Sequence, residues 1–231
     1  MTETGLAIDI GSRLELFVDD FLIDRMDGAE LTLHRPVPQD LALVYDRPWE
    51  GNTSNFYLTV FKDGDLYRMF YRGSQVDHAP GEYIDRHRVV CYAESNDGIR
   101  WERPSLGLVE FEGSKDNNII WDGPGRTTFA PFKDANPDCD PEARYKALAA
   151  HEGGLHAFKS SDGVHWSLMT DEKVITDGAF DSQNLAFWDA VRGEYREYHR
   201  DFHEGVDAWG NGNGRDIKTA TTKDFLEWPD P

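Results

Sequence analysis

Two short segments of this chain set carboxylates beside amide and aromatic side chains. Asp177-Gly178-Ala179-Phe180-Asp181-Ser182-Gln183-Asn184 places Asp181 near two amides, and Trp49-Glu50-Gly51-Asn52-Thr53-Ser54-Asn55 places Glu50 directly after an indole. A carboxylate can serve as base, nucleophile or hydrogen-bond acceptor, and two that face one bond can divide acid and base work. Plainer roles exist for each. An Asp in a turn accepts bonds from nearby backbone N–H groups, Asn is common where strands begin, and Pro48-Trp49 can anchor packing. A third segment, Tyr198-His199-Arg200-Asp201, offers an imidazole and a guanidinium able to hold a carboxylate, sulfate or phosphate group, or to stand as ordinary strand-end charges. Asp85-Arg86-His87-Arg88 is a similar cluster.

The balance of charge removes several partners. The chain has 231 residues, with 43 acidic and 24 basic side chains and a formal net charge of −19. Such a field repels polyanions, so neither nucleic acid nor an anionic membrane surface is an expected partner. No stretch approaches the roughly 18 consecutive apolar residues of a membrane span. Met1 to Ser12 lacks the basic and then apolar pattern of a secretory signal, so a soluble, cytoplasmic protein is expected. Cys91 and Cys139 form no Cys-x-x-Cys, and the expectation is no metal, no cofactor and two free thiols.

Three copies of one unit must position the candidate groups. A turn signature, Ser/Thr-x-Asp-Gly/Phe-x-x-Trp, recurs at Ser95 to Trp101, Ser160 to Trp166 and Thr222 to Trp228, with the Trp residues 65 and 62 positions apart. Before each stands Phe-x-Asp, at Phe61, Phe132 and Phe187, followed by a strand opening Tyr67-Arg68, Tyr145-Lys146 or Tyr195-Arg196. In the first unit this order predicts strands over 56–61, 66–72 and 89–94, joined by a hairpin at Asp63-Gly64, a variable loop, and a turn after which Trp101 opens a fourth strand. Four antiparallel strands repeated about every 60 to 70 residues make an all-β, propeller pattern, with each Trp wedged between neighbouring sheets.

The predicted blades span 46–122, 123–178 and 179–231, and the strand-like run Leu14 to Ile23 within residues 1–45 could close a ring. Three blades fall short of the usual four to eight. The expectation is therefore a piece of a longer protein, or a ring completed by other chains that associate through open sheet edges.

The Asp-Gly-x-x-Trp turns, the Tyr-Arg strands and the segment Leu106-Gly107-Leu108-Val109-Glu110-Phe111-Glu112-Gly113-Ser114-Lys115-Asp116-Asn117-Asn118-Ile119 resemble a group of glycoside hydrolases placed with families 32 and 43. The resemblance runs from about Arg13 to Trp228. It implies a five-bladed β-propeller, a carbohydrate substrate and cleavage of a glycosidic bond by carboxylate acid/base catalysis. A non-catalytic carbohydrate-binding propeller and a glycoside phosphorylase are the alternatives.

In those relatives three carboxylates reach the central funnel from the starts of innermost strands. Aligning the Phe-x-Asp turns here puts Asn55, Arg126 and Asp181 at that depth, so only the third is a carboxylate. The Asn-Asp-Pro-Asn-Gly, Arg-Asp-Pro and Glu-Cys motifs of family 32 are absent. The resulting expectation is Asp181 and Glu50 as the catalytic pair, facing one funnel about 5 to 10 Å apart. Trp49, Asn55, Arg126, Asn184, His199 and Arg200 are expected to bind substrate, Trp49 by stacking on sugar C–H faces.

Overall fold

The computed structural model describes residues 7–53, 57–80, 82–204 and 213–229, and the chain divides into two compact units, Met1–Asp40 and Leu41–Pro231. In the first unit the described residues hold neither helix nor strand. The run Leu14 to Ile23 departs from its expected strand by turning on itself. The Val18 N–H donates to the Leu16 carbonyl, the Ile23 N–H to the Asp20 carbonyl, and the Phe21 N–H to the Asp19 carboxylate. A strand leaves its backbone groups for a neighbour, whereas such turns satisfy part of them locally.

Among its described residues the second unit is all-β, with one short 3-10 turn, Pro141–Ala143, capped by the Asp140 side chain. Its first sheet runs β1 (Thr59–Asp63), β2 (Leu66–Ala79), β3 (Glu82–Ser95) and β4 (Ile119–Trp121). The second runs β5 (Ala130–Lys133), β6 (Tyr145–His151), β7 (Gly154–Ser160) and β8 (Ser167–Leu168). The third comprises β9 (Leu185–Asp189), β10 (Glu194–Glu204) and β11 (Asn213–Thr222), with β10 in the middle. Every ladder is antiparallel, and the first strands of successive sheets adjoin, β5 beside β1 and β9 beside β5. That stacking of meanders is propeller-like.

The repeated turns share their hydrogen bonds. Ser95 Oγ accepts from the Asp97 and Gly98 N–H groups, and Asp97 Oδ1 from those of Ile99 and Arg100. Ser160 and Asp162 do the same for Asp162, Gly163, Val164 and His165. At the third turn Thr222 Oγ1 accepts from the Asp224 N–H and Asp224 Oδ1 from that of Leu226. The Phe-x-Asp hairpins differ more. The first closes on a two-residue loop with Gly64 at φ +64°, the third on the four residues between Asp189 and Glu194, and the second carries the 3-10 turn between Lys133 and Tyr145.

Two expectations for the first repeat change. The variable loop is instead the paired arms of one long hairpin, β2 with β3, carrying a register shift at Gln75/Val76. Trp101 does not open the fourth strand. Glu102 makes a single bridge to Glu94, and β4 follows only after the 106–118 segment, which folds back through the Leu106 N–H to the Asn117 carbonyl.

Alternating side chains build a core on each side of the second sheet. Ala147, Ala149, Phe158 and Trp166 pack with Phe70, Val90, Tyr92 and Ile120 of the first sheet, while Leu148, Leu155 and Ala157 pack with Ala186 and Tyr195 of the third. Period-two alternation sends neighbouring residues of β6 to opposite cores. Trp166 is wedged between two sheets, edge-on to Phe70 and Phe129, and Trp228 packs on the core shared by the second and third. A polar contact recurs between sheets: the Tyr145 hydroxyl donates to Asp63 at 2.5 Å, and the Tyr195 hydroxyl to Asp134 at 2.7 Å. In each case the tyrosine of one sheet meets the Phe-x-Asp aspartate of the sheet before it.

Candidate functional site

Antiparallel pairing sets the Asp-Gly turns and the Trp turns at one end of the sheets, and the β2–β3 and β6–β7 hairpins with the approaches to β5 and β9 at the other. At this second end lies a cavity of about 400 Å³. Tyr57, Arg72 and Arg88 line it from the first sheet, Thr127, Thr128 and Ala150 to Gly153 from the second, and Ala179 to Asp181 from the approach to the third. Tyr57 at φ +60°, Glu152 at +50° and Phe180 at +55° are three of the four non-glycine residues with left-handed backbone among those described. Backbone strain of this kind gathers at functional sites.

Asp181 stands in this cavity with its side chain 53% exposed. Arg200 Nε donates to Oδ1 at 2.8 Å and its terminal nitrogen pairs with Oδ2, a two-point grip that fixes the plane of the carboxylate. The Tyr57 hydroxyl donates to the Asp181 carbonyl at 2.8 Å. Across the cavity wall, Arg72 donates to the Thr53 carbonyl and lies 5.6 Å above the Tyr57 ring, and Arg88 holds Asp85 at 2.9 Å and Thr127 at 3.2 Å. Behind them His151 lies 5.7 Å from buried His156, whose imidazole is held below its ordinary value by burial and by His151 and Lys173.

Glu50 is elsewhere. It is fully buried, its Oε1 accepting from the Tyr71 hydroxyl at 2.7 Å and lying 2.8 Å from Arg103 Nε, its Oε2 accepting from the Arg47 N–H. Burial, with Cys91 and Glu50 beside it, pushes the Tyr71 phenol up, and burial pushes the Cys91 thiol well up. The segment is pressed on β2: a Cβ at Gly51 would lie 2.4 Å from the Ser74 carbonyl oxygen, and one at Gly73 2.4 Å from that of Trp49. The structure therefore does not bring Glu50 to the cavity that holds Asp181, because buried Tyr71 and half-buried Arg103 claim it for the outer core of the first sheet.

No protein-family model matches this chain, and no curated protein matches it. Among solved structures, a glycosyl hydrolase from Bacteroides ovatus is similar at 16% identity and TM-score 0.45, over 75% of this chain and 49% of that one. A Bombyx mori GH32 beta-fructofuranosidase is similar at 13% identity and TM-score 0.42, over 77% and 36%. A structure described with the GH130 family of mannoside phosphorylases is similar at 15% identity and TM-score 0.38, over 78% and 70%. The chain spans 49% to 60% of the length of the first such structures.

The remaining expected residues divide by burial. Trp49 donates to Asn118 at 2.7 Å and lies edge-on to Phe111, a packing role. Arg126 turns away from the cavity to the Asp122 and Gly123 carbonyls. Asn184 is buried and donates to the Phe180 and Ser182 carbonyls, holding the loop before β9. His199 is buried too, between Glu197 and the Asp177 carbonyl, whereas Arg200 reaches Asp181. Asn55 lies outside the described residues.

Sequence reasoning missed Tyr57, Thr127, Thr128, His151 and Glu152. The Glu152-Gly153-Gly154 run was the available signal for His151 and Glu152, since a two-residue hairpin turn there, with Glu152 and Gly153 at positive φ, places its neighbours at the same end as the sheet approaches. Among the described residues no group of three or more His, Cys, Asp or Glu is arranged to hold a metal, and no helix is long and apolar enough to cross a membrane.

Proposed function

We propose that the protein cleaves a glycosidic bond within a five-bladed propeller to which this chain contributes three sheets. One observation carries the reading: an exposed, Arg-gripped carboxylate, Asp181, stands in a 400 Å³ cavity where three sheets meet. Hydrolysis needs a carboxylate to attack or to activate water and an acid to protonate the leaving oxygen. Asp181 takes the first role. Glu152, with its side chain 74% exposed on the same wall, takes the second in place of Glu50. Tyr57 offers a ring for a sugar face.

Arg72 and Arg88 in that wall favour a second reading, phosphorolysis, in which inorganic phosphate replaces water. The two free thiols, Cys91 and Cys139, suit a reducing, cytoplasmic setting. Phe187 and Asp189, the counterparts of Phe132 and Asp134, lie on a third-sheet face that would receive a further sheet or a second copy of the chain, which is the route to self-association.

The test is turnover of a glycoside panel by the full-length protein and by Asp181→Asn, with and without inorganic phosphate. Loss of at least about a hundredfold in the variant is expected for a carboxylate acting on the bond. Phosphate-dependent product would establish phosphorolysis. Glycan binding without turnover, unchanged in the variant, would sink both readings in favour of a binding module.

A further inference from the structure

We propose that Glu197 and His199 form a buried, proton-holding pair that positions the loop carrying Asp181. The meaning of that loop for catalysis rests on the function proposed above; the pair itself does not. His199 Nδ1 lies 2.8 Å from Glu197 Oε2, and Nε2 lies 3.0 Å from the Asp177 carbonyl oxygen. A carbonyl oxygen only accepts, and so does an ionised carboxylate, whereas a neutral imidazole has one N–H and one lone pair. With Glu197 ionised and His199 neutral, either tautomer aims a nitrogen lone pair at an oxygen lone pair. Both side chains are fully buried, so no solvent repairs the mismatch. Both bonds form together only when the pair keeps one further proton in the Nδ1 to Oε2 contact.

The loop is built around that imidazole. A Cβ at Gly178 would lie 2.5 Å from the ring Cδ2 and Nε2 atoms, so glycine alone fits there. Phe180, at φ +55°, packs its ring 5.0 Å from that of His199, and the Ala179 N–H donates to the Arg200 carbonyl at 2.9 Å. The charged groups around the pair are Lys218, opposite His199 on β11, with Asp177 at 2.7 Å and Asp201 at 2.9 Å from its ammonium. On that face the second sheet contributes Leu148, Leu155 and Ala157, and further along it the Lys146–Asp134 pair, with the Lys146 ammonium 5.5 Å from the Tyr195 ring and Asp134 accepting from the Tyr195 hydroxyl. Consecutive residues of one strand point to opposite faces, so His199 grips the loop at Asp177 while Arg200 grips it at Asp181.

The test is nitrogen NMR of the His199 side chain at neutral pH, joined to amide exchange at Ala179. The wild-type ring should give the signature of an imidazole whose nitrogens are both engaged with protons. In Glu197→Gln the new amide donates to Nδ1 of a neutral ring, so the signature should become that of the neutral Nε2–H tautomer while Ala179 stays protected. His199→Phe removes both bonds and should speed Ala179 exchange by about tenfold or more. A neutral wild-type signature with an unpaired Nδ1, an unchanged signature in Glu197→Gln, or unaltered Ala179 protection in His199→Phe would each overturn the proposal. If His199→Phe does not fold, the Glu197→Gln spectrum decides alone. None of these measurements needs turnover, so failure of the glycoside assay leaves the result readable.

Discussion

Glu50 and Asp181 occupy similar places in the repeat, each shortly ahead of the first strand of a sheet, and the two surroundings are opposite. Glu50 is fully buried, held by Tyr71 and Arg103 with two glycines that let its segment press onto β2. Among the described residues Asp181 is gripped by one guanidinium, and its side chain stays half exposed in the cavity. The pairing partner is Arg in both cases. What differs is whether the pair is enclosed, and enclosure turns the same chemistry from reactivity into architecture.

The largest effect should come from breaking the enclosed pair. Glu50→Ala strands the Arg103 charge and the Tyr71 hydroxyl, and a loss of about 3–5 kcal/mol in urea unfolding is expected; a loss below about 1 kcal/mol would erase the contrast. Next is Tyr71→Phe, which removes a donor to Glu50 and an acceptor for Asn118 at 2.8 Å, with an expected cost of about 1–3 kcal/mol by the same measurement. Asp181→Asn should change stability by less than about 1 kcal/mol, because its ion pair is substantially solvated. A larger loss on thermal unfolding would make Asp181 as architectural as Glu50.

The smallest effect lies at the far end of the sheets. Backbone N–H bonds from Arg100 and Ile99 hold the Asp97 carboxyl at about 2, below its ordinary 3.8. Burial would raise Asp162, but the His165 and Val164 N–H bonds outweigh it and hold that carboxyl far below the ordinary range. Both are depressed, so their contribution is present above the ordinary carboxylate range and is lost as pH falls from 3.8 toward 2 and below. Replacing both by Asn should flatten the acid limb of the stability curve, and an unchanged limb would refute the assignment.

The turns were legible because their bonds are local. Ser95 and Asp97 each accept from N–H donors no more than three residues away, and a seven-residue pattern contains the whole device. The fate of Glu50 was not legible, since it depends on Tyr71 and Arg103, 21 and 53 residues away. His199 misled for the same reason: alternation along β10 buries it while exposing Arg200, and the register that decides this is set by pairing with β11. Asp181 was reached because its distance from Phe187 matched the repeat, and Tyr57 escaped because left-handed backbone at a non-glycine residue has no compositional mark.

The tyrosine-to-aspartate contact between sheets has a direction. Asp63 precedes Tyr145 in the chain, and Asp134 precedes Tyr195, so each sheet presents its acceptor before the donor that will use it has been synthesised. A ribosome emitting this chain thus releases a finished template ahead of each new sheet, and assembly is expected to proceed from the N-terminal side as domains do during synthesis. Force measured on nascent chains should rise after Tyr145 and again after Tyr195 leave the exit tunnel, and Asp63→Asn should delay the first rise while sparing the timing of translation itself.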